Sequence, residues 1–136
     1  MNELVIRLPA TARAARTLRH AVREHLGEGS GDAELCVTEL LANVVRHLGE
    51  GTPVTLRVTG NGRAARTRVE LTDPDPCAWP VRREADGGDE SGRGLALLDG
   101  LALRWGVTRG PRTKTVWCEL DPGHSPRRRV AVITGG

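Results

Sequence analysis

Strands in this sequence come in adjacent pairs, and that arrangement most constrains its fold. "TPVTLRVTG" and "ARTRVELTD" meet at Asn61-Gly62, a dipeptide suited to the positive backbone angles of a tight hairpin. "ALRWGVTR" and "TKTVWCEL" are likewise joined by a short "GPR" turn. Strands linked so directly pair antiparallel, because a parallel partner needs a crossover of about a dozen residues or more. A doubly wound parallel sheet is therefore disfavoured.

The remaining elements are helical apart from the first. "ELVIRL" alternates apolar and polar residues and stops at Pro9, so Glu3–Leu8 is expected to be a strand. Thr11 can cap the helix "ARAARTLRHAVREHL", whose Ala14, Leu18, Ala21, Val22 and Leu26 recur at helical spacing. Ser30 or Asp32 can cap a second helix, "AELCVTELLANVVRHL", ended by Gly49. A stretch rich in Pro, Gly and charge runs from Pro74 to Ser91, followed by a short helix, "LALLDGL". The order β-α-α-β-β-loop-α-β-β predicts an α+β two-layer sandwich, its mostly antiparallel sheet covered by helices on one face.

Length and composition fit one domain over residues 1–120, followed by an arginine-containing tail, residues 121–136, expected to be loosely ordered. Within the tail, "VAVIT" has the composition of a further edge strand. Three Trp are the only aromatic residues, so the core must come from Leu, Val and Ala. The same scarcity argues against single-stranded nucleic acid, which is gripped by stacking on aromatic rings. The net charge is +3, carried almost wholly by arginine, since Lys114 is the sole lysine. There is no helix-turn-helix pattern, and a few tail arginines give only salt-sensitive attraction to nucleic acid, so no specific nucleic acid partner is expected. No apolar run is long enough to span a membrane, and the N-terminus lacks a signal-peptide pattern. Cys36, Cys77 and Cys118 are odd in number and widely spaced, which suits reduced thiols in a cytoplasmic protein and offers no zinc-ligand spacing.

Three features carry chemistry. On the second helix, Val37, Leu41, Val44, Val45 and Leu48 form an apolar stripe, and Glu39 and Asn43 lie four residues apart along its flank. An amide oxygen can ligate Mg²⁺, and a carboxylate one turn away can serve as a base toward a nucleophile; two solvent-facing polar residues would show the same spacing. Asp73 continues the apolar row of Val69 and Leu71, so its carboxylate either takes a donor partner or opens an Asp-Pro turn. "SGRGLALLDG" can be a plain turn, or a helix N-terminus offering N–H groups to a phosphate. Thr115 can bond Asp73 or a ligand if their strands are neighbours. Neither a P-loop nor a dinucleotide fingerprint is matched.

In this order, "ELLANVVRH", "LTDPDP", "SGRGLALLDGLALRWGV" and "TKTVW" resemble the N, G1, G2 and G3 boxes of the GHKL (Bergerat) ATP-binding fold. The resemblance is nearest to the small actinobacterial branch related to anti-sigma-factor serine/threonine kinases, and covers about residues 4–120. It implies ATP and Mg²⁺ as cofactors, with Glu39 as catalytic base and Asn43 as metal ligand. It also implies that Asp73 accepts from the adenine amino group with support from Thr115. Gly92, Arg93, Gly94 and Leu95 would line the phosphates, and residues 77–91 would close over the nucleotide. One departure stands out: the family usually has glycine two positions after the G1 aspartate, and this chain has Asp75.

The function so implied is phosphorylation of Ser/Thr on an anti-anti-sigma (STAS-type) partner, sequestration of a sigma factor, or both. The alternative is a non-catalytic GHKL-fold module that grasps a partner with weak or no ATP binding, and Asp75 is the feature that favours it. Relatives pair through the sheet, which leaves a homodimer open.

Overall fold

In the computed structural model, residues 3–60, 66–76 and 92–121 are described. The elements are β1 (Glu3–Pro9), α1 (Ala12–Leu26), α2 (Gly31–Leu48), β2 (Pro53–Thr59), β3 (Thr67–Asp73), α3 (Gly92–Leu101), β4 (Arg104–Arg109) and β5 (Lys114–Leu120). They follow the expected order. The five strands form one sheet ordered β1-β2-β3-β5-β4, with every neighbouring pair antiparallel. Both expected hairpins pair, although the Asn61-Gly62 turn, the proposed closing segment 77–91 and the tail beyond Asp121 lie outside the described residues.

Local chemistry explains the helix boundaries. Thr11 is extended, and its hydroxyl oxygen accepts from the Ala14 N–H at 2.9 Å, which supplies a partner to one of the first-turn donors. At α2 the expectation of a side-chain cap is not met. Ser30 already has a helical backbone, and its hydroxyl donates to Glu34 at 2.6 Å instead of accepting from the helix end. Glu34 is also gripped by Arg23 of α1, at 2.9 and 3.2 Å. The start of α2 is thus tied to α1 through Glu34, and this competes with the cap.

The core lies between the sheet and the helices. Leu18, Val22 and Leu26 of α1 meet Cys36, Val37, Leu40, Leu41 and Val44 of α2, with Leu56, Val58, Val69, Leu71, Val116 and Cys118 from the strands below. The stripe on α2 is wider than its sequence pattern suggested: Leu40 and Cys36 are buried, whereas Val45 and Leu48 are only partly so. A helix that packs against a sheet and two other helices needs more than one narrow apolar seam.

The opposite face of the sheet carries ion pairs. Glu119 receives Arg68 at 3.0 Å and Arg104 at 2.8 Å, Arg57 pairs with Glu3, and Arg68 also meets Glu70 at 2.7 Å. Arg68 lies 4.3 Å from the centre of the Trp117 ring, a cation–π contact. Trp117 in turn covers Gly106 on β4, where a Cβ would come within 2.8 Å of the indole. Only a residue without a side chain allows that approach.

Candidate functional site

β5 enters the sheet between β3 and β4, and this single topological step builds the site. It sets the last residue of β3, Asp73, directly across from the first of β5, Lys114, and pairs Thr72 with Thr115. Asp73 shares the inner face with Val69 and Leu71, as its parity foretold. Lys114 shares the inner face with Val116, Cys118 and Leu120. Their side chains are 1 % and 0 % exposed, and the ammonium lies 3.2 Å from Asp73 Oδ2.

The other Asp73 oxygen, Oδ1, accepts from the Asp75 backbone N–H at 2.9 Å, the geometry of an Asx turn. Asp73 therefore opens the turn and holds a donor partner at the same time. Beyond it, Arg109 Nε donates to the carbonyl of Pro76 at 2.9 Å and fastens the chain leaving β3 to the edge strand. The Asp75 side chain is half-buried beside this turn.

The expectation that Thr115 supports Asp73 is corrected here. The Thr115 hydroxyl lies 2.7 Å from that of Thr72, and the pair sits on the opposite side of the sheet from Asp73. Successive strand residues point to opposite faces, so one residue of register separates the two roles. Lys114 is the residue that sequence reasoning missed. Its signal was the parity of Val116, Cys118 and Leu120.

On α2, Glu39 is half-buried and Asn43, one turn later, is 1 % exposed. The Asn43 Oδ1 receives only a long bond from Arg46 at 3.4 Å, and its Nδ2 has no partner among the described residues. A buried amide left so poorly satisfied costs free energy. That is the state expected of a group whose partners come with a ligand. α2 packs against β3 and leads through a short turn into Pro53, and the β2 start lies beside the β3 end, so the C-terminal end of α2 and Asp73 lie toward the same end of the sheet.

The described residues contain no group of three or more His, Cys, Asp or Glu side chains able to hold a metal. A cation here would take one protein oxygen, from Asn43, with water and ligand oxygens completing its shell. Mg²⁺ suits that arrangement, since it keeps several waters and needs few protein ligands. The residues present thus fit the phosphate and metal end of a nucleotide site.

Gly92, Arg93, Gly94 and Leu95 form the first turn of α3, whose backbone N–H groups have no partner within the helix. At the other end of α3, the Leu103 N–H bonds Glu119 O at 2.8 Å, so the helix finishes near the Leu120 end of β5 and its N-terminus is turned away from there. A groove of about 390 Å³ opens elsewhere, between α1 and α2, and is lined by Thr11, Ala15, Leu41, Ala42, Val45 and Arg46. Neither Glu39, Asn43, Asp73 nor Lys114 lines it. No helix among the described residues is long and apolar enough to cross a membrane.

Residues 8–119 match the histidine kinase-like ATPase domain family. The chain is 49% identical over 84 residues to an uncharacterised protein of Streptomyces coelicolor, an alignment spanning 61% of this chain and 79% of that protein. It is also similar to the crystal structure of the RsbU and RsbW domains of Rv1364c from Mycobacterium tuberculosis. That likeness has a TM-score of 0.64 and 20% identity, and it covers 92% of this chain but only 34% of the larger one.

Proposed function

The chain belongs to the histidine kinase-like ATPase domain family, and we propose that it is an ATP-binding regulatory protein of the anti-sigma-factor type. In this reading it phosphorylates Ser or Thr on an anti-anti-sigma (STAS-type) partner, sequesters a sigma factor, or does both. The observation that carries it is Asn43, buried on α2 one turn after the half-buried Glu39, its amide oxygen held only by a 3.4 Å bond from Arg46 and its nitrogen without a partner among the described residues. Bound ATP with Mg²⁺ supplies the phosphoryl group and the charge that neutralises it.

The protein's own residues then have separate duties. Asn43 presents its amide oxygen to the metal, and burial fixes its orientation. Glu39 accepts the proton of an incoming hydroxyl, a task that needs a carboxylate accessible from one side. The first-turn N–H groups of α3 at Gly92–Leu95 face the phosphates, favoured by the positive end of the helix dipole. Asp73 is the carboxylate assigned to the adenine end of the site.

Calorimetric titration with ATP, with and without Mg²⁺, tests this reading. Binding is expected to require Mg²⁺ and to weaken at least tenfold in Asn43→Ala, whereas Glu39→Gln retains ATP and loses transfer to the partner. Binding that ignores both Mg²⁺ and Asn43 removes the reading. A second reading, a partner-binding module without catalysis, is favoured by the ion pair already satisfying Asp73. It predicts a stable complex with the partner and no phosphotransfer.

A further inference from the structure

The chain's sole lysine has a fully buried side chain. Lysine is almost never found there unless paired, because its ammonium gives up strong hydration. Here it is paired with the carboxylate assigned to the base of the nucleotide. Lys114 Nζ stands 3.2 Å from Asp73 Oδ2, and the Asp75 N–H takes Oδ1 at 2.9 Å. Both oxygens of the carboxylate are therefore engaged from within the protein.

We propose that Lys114 is an internal latch on this acceptor, its ammonium standing in the donor place of an adenine amino group. The inference rests on the nucleotide-binding reading above and concerns which residue sets its affinity and selectivity. Out of water, the attraction between an ammonium and a carboxylate 3.2 Å apart exceeds what a neutral donor offers the same oxygen. The neutral amino group of adenine does not displace Lys114 from Asp73 without a place to move the ammonium. Binding then draws on the phosphates, through Asn43 and the α3 N-terminus, and little on the base. The latch thus predicts weak ATP binding from the β3–β5 register alone, with the phosphate end of the site intact.

The test compares Mg·ATP with magnesium tripolyphosphate, which lacks the nucleoside, on wild-type protein and on Lys114→Met. Met keeps most of the side-chain length and removes the charge; its folding is verified by circular dichroism before titration. In the wild type the two ligands are expected to bind within about threefold of each other. In Lys114→Met, ATP is expected to bind at least tenfold more tightly than in the wild type, with tripolyphosphate unchanged. A wild-type preference for ATP over tripolyphosphate of tenfold or more overturns the latch, even if the variant fails to fold. So does a folded variant that binds ATP no better than wild type. Failure of both proteins to bind either ligand at millimolar concentration has a different meaning: it overturns the nucleotide-binding function on which the latch depends.

Discussion

Neutralising Asp73 while keeping its shape is the perturbation with the largest expected consequence for stability. Asp73→Asn preserves an oxygen for the Asp75 N–H but takes from the Lys114 ammonium the carboxylate charge 3.2 Å away, in a site where neither side chain is more than 1 % exposed. Removing one member of a buried pair costs about 3–5 kcal/mol, most of it the penalty of a stranded charge. Domains of this kind have roughly 5–15 kcal/mol in hand, so the variant forfeits a fifth of its stability or more. At about 2–8 °C per kcal/mol, depending on domain size, the melting temperature drops on the order of 10–20 °C. Adding Lys114→Met to Asp73→Asn removes the buried ammonium as well, and the double variant is expected within about 2 kcal/mol of wild type, since replacement of a buried pair by uncharged groups is often neutral. Urea unfolding followed by far-ultraviolet circular dichroism, run on wild type, both singles and the double, gives the coupling directly. A loss under 1 kcal/mol in Asp73→Asn would refute the reasoning, as would a double variant whose loss equals the sum of the singles.

Two further outcomes follow from the outer face of the sheet and the α1–α2 junction. Gly106→Ala pushes a methyl group into the Trp117 ring, at 2.8 Å, and is expected to cost about 1–3 kcal/mol in urea unfolding, with a change in the tryptophan emission. Arg104 and Arg68 hold the Glu119 carboxyl below its usual range, and Arg23 does the same for Glu34. A carboxyl lowered on folding stabilises the protein fully above its unfolded value, about 4.3, and that contribution is lost as pH falls through the folded value. The melting temperature should therefore decline below about pH 4, and Glu119→Gln should lower it at pH 7 and flatten the acid limb. An unchanged acid limb in that variant would remove Glu119 from the account.

Much of the architecture was legible because it depends on local pattern. Paired strands with short connections specified antiparallel pairing, and the Thr11 cap depended on residues only three apart. The inward placement of Asp73 was legible for the same reason, since Val69 and Leu71 fixed its parity. What failed was the partner strand. "TVWC" is nearly continuous in apolar residues, because Trp117 lies on the outer face against Arg68 and hides the alternation that would have turned Lys114 inward. The rarity of buried lysine argued the same wrong way. The Ser30 cap failed for a different cause: Glu34, held by Arg23 from another helix, claims the hydroxyl. That competition is tertiary and leaves no mark in a local window. The lid residues 77–91 and the tail lie beyond the described residues, so those expectations stand as they were.

The insertion of β5 between β3 and β4 has a consequence for how the protein is born. β5 is the latest of the five strands to be synthesised, yet it occupies a place next to the middle of the sheet. Until translation has passed Leu120, β3 presents an open hydrogen-bonding edge, Asp73 lacks Lys114, and β4 has no strand to pair with. Such an edge invites pairing with another chain, and nascent chains that expose it are prone to aggregate. The N-terminal two-thirds of the chain can form helices and the β1–β2–β3 meander early, but the sandwich closes only when its C-terminal strand arrives. A stop codon near residue 112 would therefore remove the keystone of the sheet, a far larger loss than trimming an edge.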